Sequence, residues 1–160
     1  MSAPEDPRRW ISAFLEAQAA ELDAARNTLL AYGRDLGDFS AWLARRGAGF
    51  ATATRADVEA YLVACEADGL AAATRARRLS AIRQLYRFAF EEGWRADNPA
   101  LQIRGPGRAA RLPRDLSHAE VDALLEAAET TGRTPLDRLR NACLMQLLYA
   151  TGLRVSELVA

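Results

Sequence analysis

The sequence contains no lysine, and all 21 of its basic residues are arginine. It has two cysteines and one histidine, and no apolar run approaches the roughly 20 residues that a membrane-spanning helix needs. Cys65, Cys143 and His118 match no familiar spacing of metal ligands, so both thiols are interpreted as buried and reduced. The N-terminus lacks the apolar segment of a signal peptide. These absences predict a cytoplasmic protein with no membrane segment, no metal and no disulfide.

The balance of charge changes along the chain. Arginines number 7 against 11 acidic residues in residues 1–70, 10 against 3 in residues 71–114, and 4 against 7 in residues 115–160. The net charge of zero therefore conceals a basic middle. A local cationic patch is what a polyanion requires, although charged stretches are also typical of solvated faces.

Helical periodicity dominates, and no convincing alternation of apolar and polar residues predicts a strand. Four amphipathic helices are expected in the first part of the chain, delimited by capping residues and glycine stops. The expected starts are Pro7 after Asp6, Asn27 or Thr28 as a cap, Thr54 as a cap, and Ala72, and the expected stops are Gly47, Gly69 and Gly93. Four such helices can enclose one core.

Residues 104–114, "RGPGRAARLPR", hold two glycines, two prolines, four arginines and no acid. This composition favours a linker, so we expect a domain boundary there, between residues 1–103 and residues 115–160. Beyond it, Ser117 and Glu120 have the spacing of a capping box, and apolar residues between Leu136 and Ala150 line a further helix. A piece of under about 50 residues rarely holds a core alone. Residues 115–160 are therefore interpreted as the start of an incomplete second domain.

Candidate contacts to DNA lie on the second and fourth predicted helices and in the linker. On the fourth helix, polar residues recur every three or four positions opposite the apolar face, and others lie near its start, where free N–H groups favour phosphate. The candidates are Asn27, Thr28, Arg34, Thr74, Arg77, Arg78, Ser80, Gln84, Arg87, Arg104, Arg108 and Arg111. Composition alone leaves nucleic-acid binding and simple solvation both open.

The stretch "LMQLLYATGLRVSEL" resembles the first conserved box of the tyrosine recombinases, the Xer and phage integrase family. The segments "NTLLAYGRDLGDFSAWL" and "TRARRLSAIRQLYRFAFEEGWRADNPA" resemble, in order and spacing, helices of bacterial Xer recombinases, the D type more than the C type. The resemblance implies an all-α architecture: a four-helix N-terminal core-binding (SAM-like) domain, a basic linker, and the first helices of an incomplete, mainly α catalytic domain.

Members of this family cleave and rejoin DNA through a tyrosine nucleophile and a 3′-phosphotyrosyl link, without metal, ATP or another cofactor. The resemblance implies that Arg154 is a catalytic arginine, and a guanidinium suits this role because it donates two parallel hydrogen bonds to phosphate oxygens. Glu157, one helical turn on, is expected to orient it. The tyrosines of the chain match no nucleophile motif and are interpreted as core residues: Tyr32, Tyr61, Tyr86 and Tyr149. The chain alone is therefore expected not to cleave DNA.

The resemblance also implies partners: a double-stranded recombination site, a second recombinase in a heterotetramer, and a septal DNA translocase, acting together to resolve chromosome dimers at cell division. Three alternatives stay open. They are an integrase of a mobile element, a DNA-binding regulator whose helices around "TGL" form a helix-turn-helix, and a helical interaction module without a DNA role. Salt-dependent DNA binding distinguishes the last from the others.

Overall fold

The computed structural model describes residues 3–21, 25–107 and 115–159, which contain seven α-helices and no strand. The prediction of an all-α chain is confirmed. The helices are α1 (Pro7–Glu21), α2 (Arg26–Ala44), α3 (Arg55–Ala67), α4 (Ala72–Glu91), α5 (His118–Thr130), α6 (Pro135–Thr151) and α7 (Val155–Leu158). The chain divides into two compact units, Met1–Ala109 and Ala110–Ala160. The linker candidates Arg108 and Arg111 lie outside the described residues.

In the first unit, α1 to α4 enclose one hydrophobic core. The buried positions repeat at helical spacing, as on α2, where Leu36, Phe39 and Leu43 are inaccessible to solvent. Aromatic rings connect the helices: Phe39 and Tyr61 lie 4.9 Å apart between ring centroids. Most residues of the apolar faces expected from helical spacing form or border this core, whereas Leu29 at the start of α2 is half-buried and lies outside it.

Some of the helix starts follow local capping chemistry, and others have no capping side chain. Thr54 caps α3 through a capping box with Asp57, and hydrogen bonds from the side chain and backbone of Thr54 hold the pKa of Asp57 below its ordinary value. The predicted cap of α2 is wrong, because Ala25 occupies the cap position and Asn27 and Thr28 lie within the first turn. This helix start is exposed to solvent, so water can satisfy its free N–H groups without a capping side chain.

The segment after α4 folds back onto the core. The guanidinium of Arg83 donates hydrogen bonds to the carbonyl oxygens of Ala100 (3.1 Å) and Ile103, and the side chain of Asn98 donates to the carbonyl oxygen of Arg83 (3.3 Å). Ala100 and Ile103 are both buried. The first unit thus fixes the backbone up to the point where the predicted linker begins.

In the second unit, α5 packs against α6, and α7 follows after a turn at Gly152, whose φ of 66° is the left-handed conformation that favours glycine. The predicted capping box between Ser117 and Glu120 is confirmed. Two interpretations are wrong, however: Cys143 is exposed, and Tyr149 is 60% exposed instead of buried. Both residues lie on α6, which buries none of its described residues because its main packing neighbour is the single helix α5.

None of the helices in the described ranges is both long enough and apolar enough to cross a membrane.

Candidate nucleic-acid interface

Helices α2 and α4 pack side by side, and polar contacts join them along one edge. The hydroxyl groups of Tyr32 and Ser80 lie 3.4 Å apart, and Arg77 donates to Asp35 at 3.1 Å. We call this edge the α2–α4 junction and define it by Tyr32, Asp35, Asp38, Arg77, Arg78 and Ser80. It brings together three of the predicted DNA-contacting residues, Arg77, Arg78 and Ser80.

Asp35 is a buried charged residue of the first unit, with 2% of its surface exposed. Burial raises the pKa of its carboxyl group, while the neighbouring guanidinium groups of Arg77 and Arg78 oppose that shift. A carboxylate in this position is stable only with cationic or hydrogen-bonding partners. The two arginines supply that charge from α4.

Arg78 is committed to contacts inside the protein. Its guanidinium donates to Asp38 at 2.6 Å and to the hydroxyl of Tyr61 at 2.8 Å, and its Nη1 lies 3.4 Å from the sulfur of Cys65. Only 17% of the side chain is exposed. The structure therefore gives Arg78 a bracing role between α2, α3 and α4, where the sequence suggested a phosphate contact.

Arg77 differs from Arg78 because 46% of its side chain is exposed, although it too is an ion-pair partner of Asp35. Arg34, on α2 next to Asp35, is exposed as well. Further along α4, Gln84 is half-buried and Arg87 is exposed and paired with Glu91 at 2.9 Å. These side chains are the ones through which the face can present cationic and hydrogen-bonding groups to solvent.

The remaining candidates lie at the ends of the two helices and at the start of the linker segment. Asn27 and Thr28 are exposed in the first turn of α2, and Thr74 is half-buried in the first turn of α4. Arg104 is exposed and borders a surface cavity formed by α3, the start of α4 and residues 102–106.

Several arginines of the basic middle stabilise the fold, which the sequence pattern did not reveal. Arg75 pairs with Glu66 at 2.7 Å, and Arg95 donates to the carbonyl oxygens of Phe50 (2.9 Å) and Ala51 (2.7 Å). Their partners lie on other parts of the fold, outside the helical turn of each arginine. The residue pattern within one helix therefore could not separate these arginines from those that face solvent. Asp35 was missed for the same reason.

Arg154 directly precedes α7 and occupies its N-cap position without a capping bond from its side chain. The carboxylate of Glu157 accepts hydrogen bonds from the backbone N–H of Arg154 at 2.7 Å and from its guanidinium at 3.0 Å. The Arg154 side chain is 83% exposed. In this arrangement one carboxylate holds both the helix start and the guanidinium, and the remaining N–H groups of the guanidinium point to solvent.

Among the described residues, no group of three or more histidine, cysteine, aspartate or glutamate side chains is arranged to hold a metal ion.

Residues 11–93 match the family model of the phage integrase N-terminal SAM-like domain. With a match over half of its length, the chain belongs to the phage integrase family. It is 46% identical over 151 residues to the tyrosine recombinase XerD of Caulobacter vibrioides, covering 94% of this chain and 49% of that protein. It is also 46% identical over 167 residues to the XerD of Bradyrhizobium diazoefficiens, covering 100% of this chain and 52% of that protein. The predicted likeness to the D type is confirmed.

The chain spans about half the length of the curated relatives that it matches. Among solved structures, a lambda integrase dimer bound to a COC′ core site matches with a TM-score of 0.67 at 23% identity, over 92% of this chain and 39% of that one. The integrase of mycobacterium phage Brujita matches with a TM-score of 0.58 at 22% identity, over 93% of this chain and 47% of that one. These two likenesses show the integrase fold.

Proposed function

We propose that the first unit of this chain binds double-stranded DNA through the face that carries the α2–α4 junction, as the N-terminal part of a site-specific tyrosine recombinase. The observation that carries the proposal is the partly exposed guanidinium of Arg77 at the junction, where it pairs with a buried carboxylate close to the exposed Arg34. Guanidinium groups suit phosphate, because they stay charged and can donate two parallel hydrogen bonds to its oxygens. The lambda integrase that shares this fold is bound to a DNA core site, which supports the same ligand here.

For the complete recombinase, we propose that Arg154 binds the scissile phosphate. Its exposed N–H groups can donate to the non-bridging oxygens as negative charge develops, while Glu157 keeps the guanidinium oriented. None of the tyrosines in this chain matches the family's nucleophile motif. The chain alone should therefore bind DNA without cleaving it, and a covalent adduct with a nicked suicide substrate would contradict this part of the proposal.

The cellular role that we propose is the resolution of chromosome dimers at cell division, in the cytoplasm, by a heterotetramer with a second recombinase and with a septal DNA translocase as activator. The likeness to XerD recombinases supports this role. Integration of a mobile element would use the same strand chemistry at a different site. Recombination assays on chromosomal dimer sites and on phage attachment sites, with the complete protein, distinguish the two.

The test of DNA binding uses fluorescence anisotropy with a short labelled duplex, over a series of salt concentrations. Binding through phosphates should weaken steeply as salt rises, because counterions are released from the DNA. Removing one phosphate contact should reduce the slope of log K against log salt by about 0.9. We expect this for Arg34→Ala and for Arg87→Ala.

The matched control is Arg55→Ala. Arg55 is exposed and forms an i,i+4 ion pair with Glu59, as Arg87 does with Glu91, but it lies on α3, which contributes no residue to the junction. Its replacement should leave affinity and slope unchanged. A flat salt response of the parent chain, or equal losses for Arg55→Ala and Arg87→Ala, would contradict the proposed face.

A further inference from the structure

Two buried polar atoms lie unpaired beside the ion pair of Asp35 and Arg77. Oδ1 of Asp35 accepts from Arg77, but Oδ2 has no hydrogen-bond partner among the described residues. Within the described part of the chain, Nε of Arg78 is also buried without a partner, 3.8 Å from the same Oδ1. Buried polar atoms in folded proteins nearly always have partners. The unpaired donor of Arg78 and the carboxyl group of Asp35 lie on facing side chains, so each is available to the other as a partner.

We propose that Asp35 exchanges arginine partners when this face binds DNA. Asp35 holds Arg77 while no DNA is bound, and it pairs with Nε of Arg78 when Arg77 turns outward to a phosphate. The inference rests on the proposed function, because it requires this face to meet DNA. Asp35 is buried and contacts no DNA in this scheme, so it acts by holding Arg77 and then releasing it.

The contacts of Arg78 make such an exchange possible. Its two Nη groups are held by Asp38 and Tyr61, so the guanidinium stays in place with Nε towards Asp35. A hydrogen bond needs a separation of about 3 Å between donor and acceptor. A small rotation of the Asp35 carboxyl group would close the present gap of 3.8 Å to that distance.

The exchange has a consequence for affinity. A buried carboxylate that loses its partner is costly, and that cost would oppose any movement of Arg77 towards DNA. When Asp35 pairs with Arg78, its carboxylate keeps a partner in the DNA-bound state and this cost is avoided. Arg78 therefore strengthens DNA binding although it contacts no phosphate itself, and it does so only while Arg77 is present.

The first test replaces Arg78 by lysine, which keeps the charge and removes Nε. Arg75→Lys is the matched control: Arg75 lies on the same helix, is buried to the same degree (16% exposed) and also has an unpartnered Nε, but it pairs with Glu66. By fluorescence anisotropy with a short labelled duplex, Arg78→Lys should weaken binding roughly three- to tenfold. Arg75→Lys should leave it unchanged.

A double-mutant cycle then separates the exchange from a general effect. In an Arg77→Ala background, Arg78→Lys should cause no further loss of affinity. An equal loss in both backgrounds, or the same loss for Arg75→Lys, would overturn the exchange while leaving the proposed DNA binding intact. Absence of salt-dependent binding by the parent chain would instead overturn the proposed function, and this inference with it.

A second measurement does not depend on how well Arg78→Lys folds. In NMR spectra that resolve arginine Nε–H groups, the Arg78 signal of the parent chain should shift when the duplex is added. In Arg77→Ala without DNA, the signal should already lie at that shifted position, because Asp35 has Arg78 as its remaining partner. If the Arg78 Nε–H signal has the same chemical shift in the DNA-free parent chain and in DNA-free Arg77→Ala, the proposal is overturned.

Discussion

The guanidinium of Arg83 donates through Nε to the carbonyl oxygen of Ala100, 3.1 Å away, and its Nη2 donates to the carbonyl oxygen of Ile103. One side chain of α4 thus fastens the segment that leads out of the first unit. Since α4 also carries Arg77 and Arg87, this contact ties the start of the predicted linker to the helix that we propose to bind DNA.

Replacing Arg83 with methionine should lower the free energy of unfolding of the first unit by about 1–3 kcal/mol, because two buried carbonyl groups lose their donor. It should also speed tryptic cleavage after Arg104, which limited proteolysis measures. Arg87→Met is the control on the same helix: Arg87 is exposed, and its loss should change stability by less than about 0.5 kcal/mol. Equal proteolysis of both variants would contradict the fastening role.

The buried carboxyl group of Asp35 predicts a pH dependence of stability. Its pKa in the folded chain is raised above the ordinary value of 3.8, so the folded chain binds the proton more tightly than the unfolded chain does. Ionisation of this group therefore lowers the free energy of unfolding of the parent chain as the pH rises from 3.8 through the folded-state pKa. Asp35→Asn removes that cost, so the stability of the variant relative to the parent should increase over this interval and then level off in urea unfolding.

Asp57 is the control, because its pKa is shifted in the opposite direction to that of Asp35. Its pKa is lowered from 3.8, so its contribution to stability is present above pH 3.8 and is lost as the pH falls through the folded-state pKa. The stability of Asp57→Asn relative to the parent should therefore fall as the pH rises through its own interval, which lies below 3.8. A common direction for both variants would show that the environment of Asp35 has been misread.

The two cysteines should differ in reactivity. Cys143 is exposed on α6 and Cys65 is buried in the first unit. In the folded chain, a thiol reagent such as DTNB should therefore label Cys143 rapidly and Cys65 slowly, and both should react after denaturation. Cys143→Ser identifies the fast phase. Slow labelling of both thiols would mean that the α6 surface is covered in solution.

Two glycines of α2 should respond differently to alanine. A Cβ atom at Gly37 meets no atom within 4 Å, whereas one at Gly33 lies 3.2 Å from Cδ1 of Leu15. Gly37→Ala should raise the free energy of unfolding by about 0.5–1 kcal/mol, since glycine loses more conformational freedom in a helix than alanine does. Gly33→Ala should gain less, because Leu15 must move. Thermal unfolding of both variants gives the comparison, and a larger gain for Gly33→Ala would contradict it.

Much of the fold could be predicted because helices depend on local chemistry. Apolar residues at helical spacing located most of the inward faces, and the cap at Thr54 and the capping box at Ser117 marked two helix starts correctly. The start of α2 could not be located in this way, because an exposed helix end can be satisfied by water and no side chain is needed. Cys143 and Tyr149 were misjudged because burial depends on which elements pack against α6.

The sequence by itself determined the all-α architecture, the likeness to the phage integrase family, and the identity of Arg154 and Glu157 as neighbours on one helical turn. Each of these depends on residues that are close together in the chain. The tertiary structure decided which arginines of the basic middle face solvent and which are used inside the protein. Arg77 meets Asp35 across 42 residues of sequence and Arg78 meets Asp38 across 40. Such pairings form only when α2 and α4 pack together, and no local pattern distinguishes a guanidinium that braces the fold from one that is available to DNA.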